Sequence, residues 1–112
     1  MKQQVVWEIL IPKFPHEASL SRLNDSKWHF AEIHQSWDEK ILKLTGGLTI
    51  ASIVNGRYLT NSGTPIREEM VAIRIACNSN QIEEILEMTA EHYQQESVFA
   101  MLISSSSLIY TK

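Results

Sequence analysis

The sequence is poor in cysteine, has no excess of basic residues and contains no long apolar run. Its single cysteine, Cys77, excludes a disulfide framework and any thiolate cluster within one chain. The chain carries 10 Lys and Arg against 13 Asp and Glu, a net charge of −3. This balance argues against a nucleic-acid-binding protein, which needs a basic face to hold phosphates.

Segments that would direct the chain to a membrane are also missing. No apolar stretch approaches the roughly 20 residues that cross a bilayer. The apolar run near the N-terminus is split by Glu8, and no small-residue cleavage site follows it, so it does not have the pattern of a signal peptide. We therefore expect a soluble, cytoplasmic protein with no membrane partner.

The 112 residues are typical of one domain, which we predict to span 1–112. Apolar residues alternate from Val5 to Ile11 and predict a first strand that ends at Pro12. The segment 13–35 has no clear period and contains three of the four histidines, so we predict a long insertion that is irregular or partly helical.

The first helix is predicted over Trp37–Leu44. Ser36 and Glu39 form a capping-box pattern, and Gly46-Gly47 ends the helix because glycine adopts the left-handed conformation without penalty. A strand follows over Leu48–Leu59, with a shift of phase near Ser52-Ile53 that predicts a β-bulge.

A turn over 61–65 leads to a strand predicted at Glu69–Cys77. A second helix is expected to begin after Asn78–Asn80 and to end at Gln94–Glu96, because apolar residues recur there with the helical period. A last strand is predicted at Val98–Ile103, and Leu108–Tyr110 is either an edge strand or a partner contact.

This order, β-α-β-β-α-β, predicts the α+β class and a ferredoxin-like fold with a four-stranded antiparallel sheet and two helices on one face. The segment 13–35, Trp37, the Asn61–Arg67 hairpin and Gln94–Ser97 would then share one end of the domain. The other face of the sheet would be bare and partly apolar. We expect a second copy to cover it in a homodimer, the alternative being a monomer covered by its own C-terminal residues.

Three short motifs resemble a family of small uncharacterised bacterial domains. They are G-G-L-T (Gly46 to Thr49), Gly56-Arg57-Tyr58, and Gln95-Glu96-Ser97-Val98. The resemblance covers about Trp37 to Met101, and this chain has Gly-Arg-Tyr where the family has Gly-x-Trp. It implies a ferredoxin-like fold and provides no established activity or catalytic residue.

The histidines suggest a metal site only weakly. His29 and Glu32 have a spacing that is compatible with one helical face, and His16 and His34 lie in the same segment. No H-x-x-x-H or C-x-x-C pattern occurs, and zinc needs three or four convergent ligands. We therefore expect no metal site and no cofactor.

The remaining candidates lie at the shared end of the predicted fold. Trp37, Arg67, Glu96 and His34 are the candidate ligand-binding residues, and Arg67 is a candidate ion-pair partner for Glu96. If the protein is an enzyme, His34 and Glu96 are the acid/base candidates, since burial would tune a carboxyl pKa.

Two functional classes follow from these residues. The preferred one is a non-enzymatic ligand-binding or regulatory module that self-associates through its sheet, because the predicted core positions are all apolar. The alternative is a small dimeric α+β-barrel enzyme of the cofactor-free oxygenase or isomerase type, an expectation that rests on fold analogy.

Overall fold

Four strands and two α-helices follow one another in the predicted order. The computed structural model describes residues 2–15 and 25–112. Its strands are β1 (Lys2–Pro12), β2 (Thr49–Leu59), β3 (Pro65–Cys77) and β4 (Ala100–Ile109). Its α-helices are α1 (Glu32–Thr45) and α2 (Ile82–Tyr93), and a 3₁₀ helix spans Asp25–Phe30.

The sheet has the order β2-β3-β1-β4, and every neighbouring pair is antiparallel. This arrangement confirms the predicted ferredoxin-like βαββαβ fold. The predicted bulge is also confirmed, because the register between β2 and β3 shifts between Ile50 and Ser52.

The core lies between the helices and one face of the two inner strands. α1 packs against β3, and α2 packs against β1. Alternate residues of both inner strands point into this layer because successive side chains of a strand face opposite ways. The largest fully buried side chains there are Trp37, Ile9, Ile11, Ile41, Ile73, Ile75 and Ile85.

Several predicted boundaries were wrong, including the start of β4, which lies at Ala100 rather than Val98. α1 begins at Glu32, one turn before Trp37, because the carbonyl of Ala31 accepts hydrogen bonds from the backbone N–H groups of His34 and Gln35. Ser36 is therefore not the N-cap; its hydroxyl donates to the carbonyl of Ile33 within the helix. Residues 16–24 of the predicted insertion, including His16, lie outside the described residues.

Two further corrections lengthen strands. β3 begins at Pro65 rather than Glu69, since Pro65–Glu68 already pair with Gly56–Leu59. β4 continues through the serines to Ile109 rather than ending at Ile103. Its second half pairs with the start of β1, where Ser107 Oγ donates to the carbonyl of Gln4 at 2.8 Å.

Trp37 connects the two helices through a buried hydrogen bond. Its indole Nε1–H donates to Thr89 Oγ1 at 3.0 Å, and the Thr89 hydroxyl in turn donates to the carbonyl of Ile85 at 2.6 Å. Both Trp37 and Thr89 are fully buried. No water can replace the bond, so its loss leaves an acceptor unsatisfied.

We predict that Trp37→Phe lowers the free energy of unfolding by about 1–3 kcal/mol, because it removes this donor and part of the packed volume. Urea unfolding followed by circular dichroism measures the change. Phe30→Leu is the control, since Phe30 is 62% exposed and should change the stability by less than about 0.5 kcal/mol. Equal effects of the two substitutions would contradict the assignment.

Candidate functional site

Four segments meet at one end of the sheet, which we call the hairpin end. They are the last residues of β1, the start of α1, the turn 60–64 between β2 and β3, and the residues 94–97 that follow α2. Glu96 Oε2 accepts a hydrogen bond from the backbone N–H of Asn61 at 3.3 Å and thereby joins the last two segments. The predicted meeting of the hairpin with residues 94–97 is confirmed.

The turn at this end has a defined conformation. The N–H of Gly63 donates to the carbonyl of Thr60 at 2.9 Å, and the N–H of Thr60 donates to the carbonyl of Thr64 at 3.0 Å. Gly63 has a φ of +83°, which residues with a Cβ rarely adopt. The turn therefore fixes which residues of β2 and β3 face each other beyond the end of β1.

An open groove of about 240 Å³ lies between the hairpin and the segment that leaves α2. It lies beside the final residues of β1 and includes two carboxylates and no Lys, Arg or His among its described lining residues. These are Pro12, Pro15, Tyr58, Leu59, Thr60, Asn61, Ile66, Glu68, Tyr93, Gln94, Gln95, Glu96 and Ser97. The groove is therefore acidic, with apolar walls.

Tyr58 and Glu68 form the polar wall of the groove on the hairpin side. Tyr58 lies opposite Ile66, and Glu68 lies opposite Gly56, so the two side chains share one face of the hairpin. The Tyr58 hydroxyl donates to Glu68 Oε2 at 2.5 Å. This hydrogen bond, partial burial and the charges of Glu68 and Glu96 raise the pKa of Tyr58 to about 12.

Glu96 and Glu68 line the same groove, and the charge of each acts on the Tyr58 hydroxyl. Both carboxylates disfavour the phenolate, so the phenol keeps its proton near pH 7 and donates it in the hydrogen bond to Glu68. The remaining lone pairs of the two carboxylates can accept hydrogen bonds from a ligand. The groove is consequently suited to a donor-rich or positively charged molecule.

His34 lies behind the groove in a buried network. Its Nε2–H donates to the carbonyl of Lys13 at 2.8 Å, which leaves Nδ1 to accept the Tyr93 hydroxyl at 2.8 Å. Burial lowers the pKa of His34 from its ordinary value of 6.5, an effect that His92 and His29 reinforce and the Lys13 carbonyl opposes. Burial also raises the pKa of Tyr93, so both groups are neutral at pH 7.

The four sequence-predicted site residues do not form one cluster. Glu96 lines the groove, whereas His34 is buried and reaches it only through Tyr93. Trp37 is fully buried and presents no surface, so its ligand-binding role stays a prediction that the groove does not use. Arg67 was placed at the correct end, but it faces away from Glu68 and lies opposite Arg57, with no ion pair to Glu96 among the described residues.

Tyr58 and Glu68 were missed as site residues. Their common face depends on the pairing of Pro65–Glu68 with the end of β2, whereas the sequence prediction began the third strand at Glu69. A signal was present: if the third strand is extended back to Pro65, Tyr58 and Glu68 fall on the same face of the hairpin by the alternation of side chains. Among the described residues, no group of three or more His, Cys, Asp or Glu side chains could hold a metal ion.

We predict that the free energy of unfolding falls as the pH drops below about 6.5. The unfolded chain protonates His34 with its ordinary pKa, whereas the folded chain keeps it neutral to lower pH, so acid favours unfolding. One proton gives a slope of at most about 1.4 kcal/mol per pH unit. Urea titrations at pH 5 to 8 measure it.

The comparison variant for this prediction is His34→Gln, in which the slope between pH 5 and 6.5 should be smaller. Phe30→Leu is the control, because Phe30 is 62% exposed and has no titratable group, so the slope should be unchanged. An unchanged slope in His34→Gln would contradict the buried neutral assignment.

Solved structures with the same fold include proteins of different function. The Cut A1 divalent cation tolerance protein of Thermus thermophilus aligns with a TM-score of 0.54 and 11% identity, covering 91% of this chain and 84% of that one. CutA of Synechococcus elongatus aligns with 0.56 and 8% identity, covering 93% and 78%.

A phage SAM lyase in complex with S-methyl-5′-thioadenosine aligns with a TM-score of 0.59 and 16% identity, covering 96% of this chain and 87% of that one. Comparisons with protein-family models and with curated proteins give no match. Among the described residues, no helix is long and apolar enough to cross a membrane. The chain is thus a small α+β domain that has the fold of the CutA proteins and of a phage SAM lyase.

Proposed function

We propose that the groove at the hairpin end binds a small, positively charged molecule, with S-adenosylmethionine as the specific candidate. The observation that carries the proposal is the convergence of Glu68 and Glu96 on one open groove without a described basic side chain in its lining. Two carboxylates in this position would repel an anion and attract a cation.

The shape of the groove supports a ligand that also has a flat apolar part. Pro12, Leu59 and Ile66 provide apolar lining, and the Tyr58 ring provides an aromatic face beside the carboxylates. A sulfonium nucleoside combines a cation, a planar base and hydroxyl donors in one molecule. The phage SAM lyase with this fold holds the corresponding thioether nucleoside, which supports the choice of candidate.

In this proposal the protein is a binding or regulatory module, as the sequence analysis favoured. A second candidate is cleavage of the same ligand to S-methyl-5′-thioadenosine, which the name of the phage neighbour supports. Sulfur keeps the electron pair of the C–S bond that breaks and leaves as a neutral thioether, so no acid is needed at the leaving group. The same carbon gains a bond either to a carboxylate oxygen of the ligand itself, with no proton to transfer, or to a water oxygen, whose proton a carboxylate of the groove accepts. Glu68 and Glu96 are the residues available to hold the cation or to accept a proton, whereas both ring nitrogens of His34 are already bonded.

A divalent cation is a weaker candidate, although the Thermus thermophilus neighbour is named for tolerance to such ions. Glu68 Oε2 already accepts the Tyr58 hydroxyl, and a third carboxylate, thiolate or imidazole does not join the pair among the described residues. Hard divalent cations take six or more oxygen ligands, mainly from carboxylates, carbonyls and water. The groove meets this requirement poorly.

The proposal has four further parts: self-association through the sheet, a cytoplasmic location, no nucleic-acid partner, and kinship with the small bacterial domains. The apolar residues of the sheet that the helices leave exposed support self-association. The acidic net charge supports the exclusion of nucleic acid.

We predict that Glu68→Gln and Glu96→Gln each weaken the binding of S-adenosylmethionine by about tenfold, because each removes one charge near the sulfonium. Isothermal titration calorimetry measures the affinities. Glu83→Gln is the matched control, since Glu83 is exposed in the first turn of α2 and outside the groove lining. S-adenosylhomocysteine, which lacks the sulfonium charge, should bind the original chain more weakly than S-adenosylmethionine.

Equal binding of the sulfonium and thioether nucleosides would contradict the proposal, as would equal effects of the groove variants and Glu83→Gln. The same samples separate the two candidates by chromatography after incubation. Release of S-methyl-5′-thioadenosine that Glu96→Gln abolishes would favour cleavage, and an unchanged nucleoside would favour the binding module.

A further inference from the structure

The exposed apolar residues are concentrated on the two outer strands. Of the fourteen large hydrophobic side chains that are exposed in the described chain, nine lie on β2 or β4. They are Ile50, Ile53, Tyr58, Leu59, Met101, Leu102, Ile103, Leu108 and Ile109. Residues at the centre of the bare sheet face are much less exposed: Met70 and Ala72 are buried, and Val6 and Leu10 are half-buried.

The cause is the position of the helices. α1 packs against β3 and α2 against β1, so the outer strands receive little cover. No residue of β2 or β4, both fully described, is buried. Long, apolar edge strands with unpaired backbone groups associate with other chains unless charges, prolines or covering segments protect them. Neither β2 nor β4 contains a lysine or a proline, and Arg57 is the one charged residue of the two strands.

We infer that copies of this chain associate head to tail, with β2 of one copy pairing with β4 of the next in a continuous antiparallel sheet. In the order β2-β3-β1-β4, in which all neighbours are antiparallel, β2 and β4 run in opposite directions. A β4 strand of a second copy can therefore extend the sheet beyond β2 with its helices on the same side. This inference rests on the self-association proposed above and is independent of the ligand.

Head-to-tail pairing explains more of the surface than pairing of like edges. A dimer that joins β2 to β2 leaves β4 uncovered, and one that joins β4 to β4 leaves β2 uncovered. Alternating β2–β4 contacts cover both apolar edges in every copy and close into a barrel or ring. The arrangement also differs from the face-to-face dimer predicted from the sequence, which would cover the least exposed part of the sheet.

The charges fit the same arrangement. Arg57 and Arg67 lie directly opposite each other on the helix side of the hairpin, both exposed, and like charges in that relation destabilise a sheet. No described carboxylate forms an ion pair with either residue. The helix nearest β4 is α2, whose exposed face carries Glu83, Glu84, Glu87 and Glu91.

In a β2–β4 contact, the acidic face of α2 in the second copy comes to the side of the sheet on which this arginine pair lies. The pairing of opposite charges across the joint would offset the repulsion within the hairpin. Tyr58 belongs to β2 and also lines the groove, so the start of the second copy's β4 would border the groove on its open side. The assembly would thus complete the wall of the proposed site.

We predict that Ile53→Glu on β2 and Leu108→Lys on β4 each convert the assembly to monomers at tens of micromolar, as measured by light scattering coupled to gel filtration. A charge at a sheet edge opposes pairing, and a glutamate at position 53 would also face the acidic side of α2 in the second copy, because Ile53 lies opposite Val71 on the helix side. Leu42→Lys is the matched control: Leu42 is exposed on α1, and the wild-type mass should be retained. Circular dichroism of each variant confirms that the monomer is folded.

A mixture of the two edge variants distinguishes the pairing mode. The intact β4 of Ile53→Glu and the intact β2 of Leu108→Lys should form a 1:1 complex at concentrations at which each variant alone is monomeric. Retention of the wild-type mass by either edge variant, or failure of the mixture to associate, would overturn head-to-tail pairing. A wild-type monomer at high micromolar concentration would refute self-association itself and leave the ligand proposal unaffected.

Discussion

Two helices cover only two of the four strands, and the rest of the structure depends on this constraint. α1 and α2 bury one face of β3 and β1 around Trp37, Ile41 and Ile85. The outer strands receive little cover from the helices, and none of their residues is buried. At about 25 cal/mol per Å², the apolar surface left on those strands is a strong driving force for association. The fold is complete in one chain, but its hydrophobic burial is not.

The groove is a consequence of unequal strand lengths. β1 ends at Pro12, opposite Met70, whereas β3 begins at Pro65 and therefore extends beyond the last pair. The extended part of the hairpin has no inner strand beside it, and the chain leaving α2 passes next to it. Tyr58 and Glu68 thus face residues 94–97 across open space. Function at this site requires the overhang, the turn that fixes its register and the placement of Glu96.

The buried network behind the groove makes that end of the molecule rigid. His34 joins the residue after β1 to the last residue of α2 through Lys13 and Tyr93. Lys13 also donates to Glu69 Oε2 at 3.0 Å and so connects the end of β1 to the base of the hairpin. A carboxylate groove bounded by such fixed segments can hold a cation with little loss of side-chain entropy on binding.

The sequence was sufficient to predict the fold because alternation and helical period are local signals. The Val5–Ile11 strand, the stop at Gly46 and the bulge near Ser52 could each be read from neighbouring residues. The site was harder, since Tyr58 and Glu68 come together only through cross-strand register, which depends on the length of one turn. Trp37 and His34 are residue types that often occur in binding sites, but only tertiary packing shows that both are buried.

Hydrogen–deuterium exchange at two protein concentrations tests the central claim that the outer strands are covered by other copies. We expect the peptides of β2 and β4 to be protected nearly as well as those of β1 and β3 at high concentration, and to exchange faster on dilution while the inner strands do not change. Rapid exchange of both outer strands at every concentration would contradict the account.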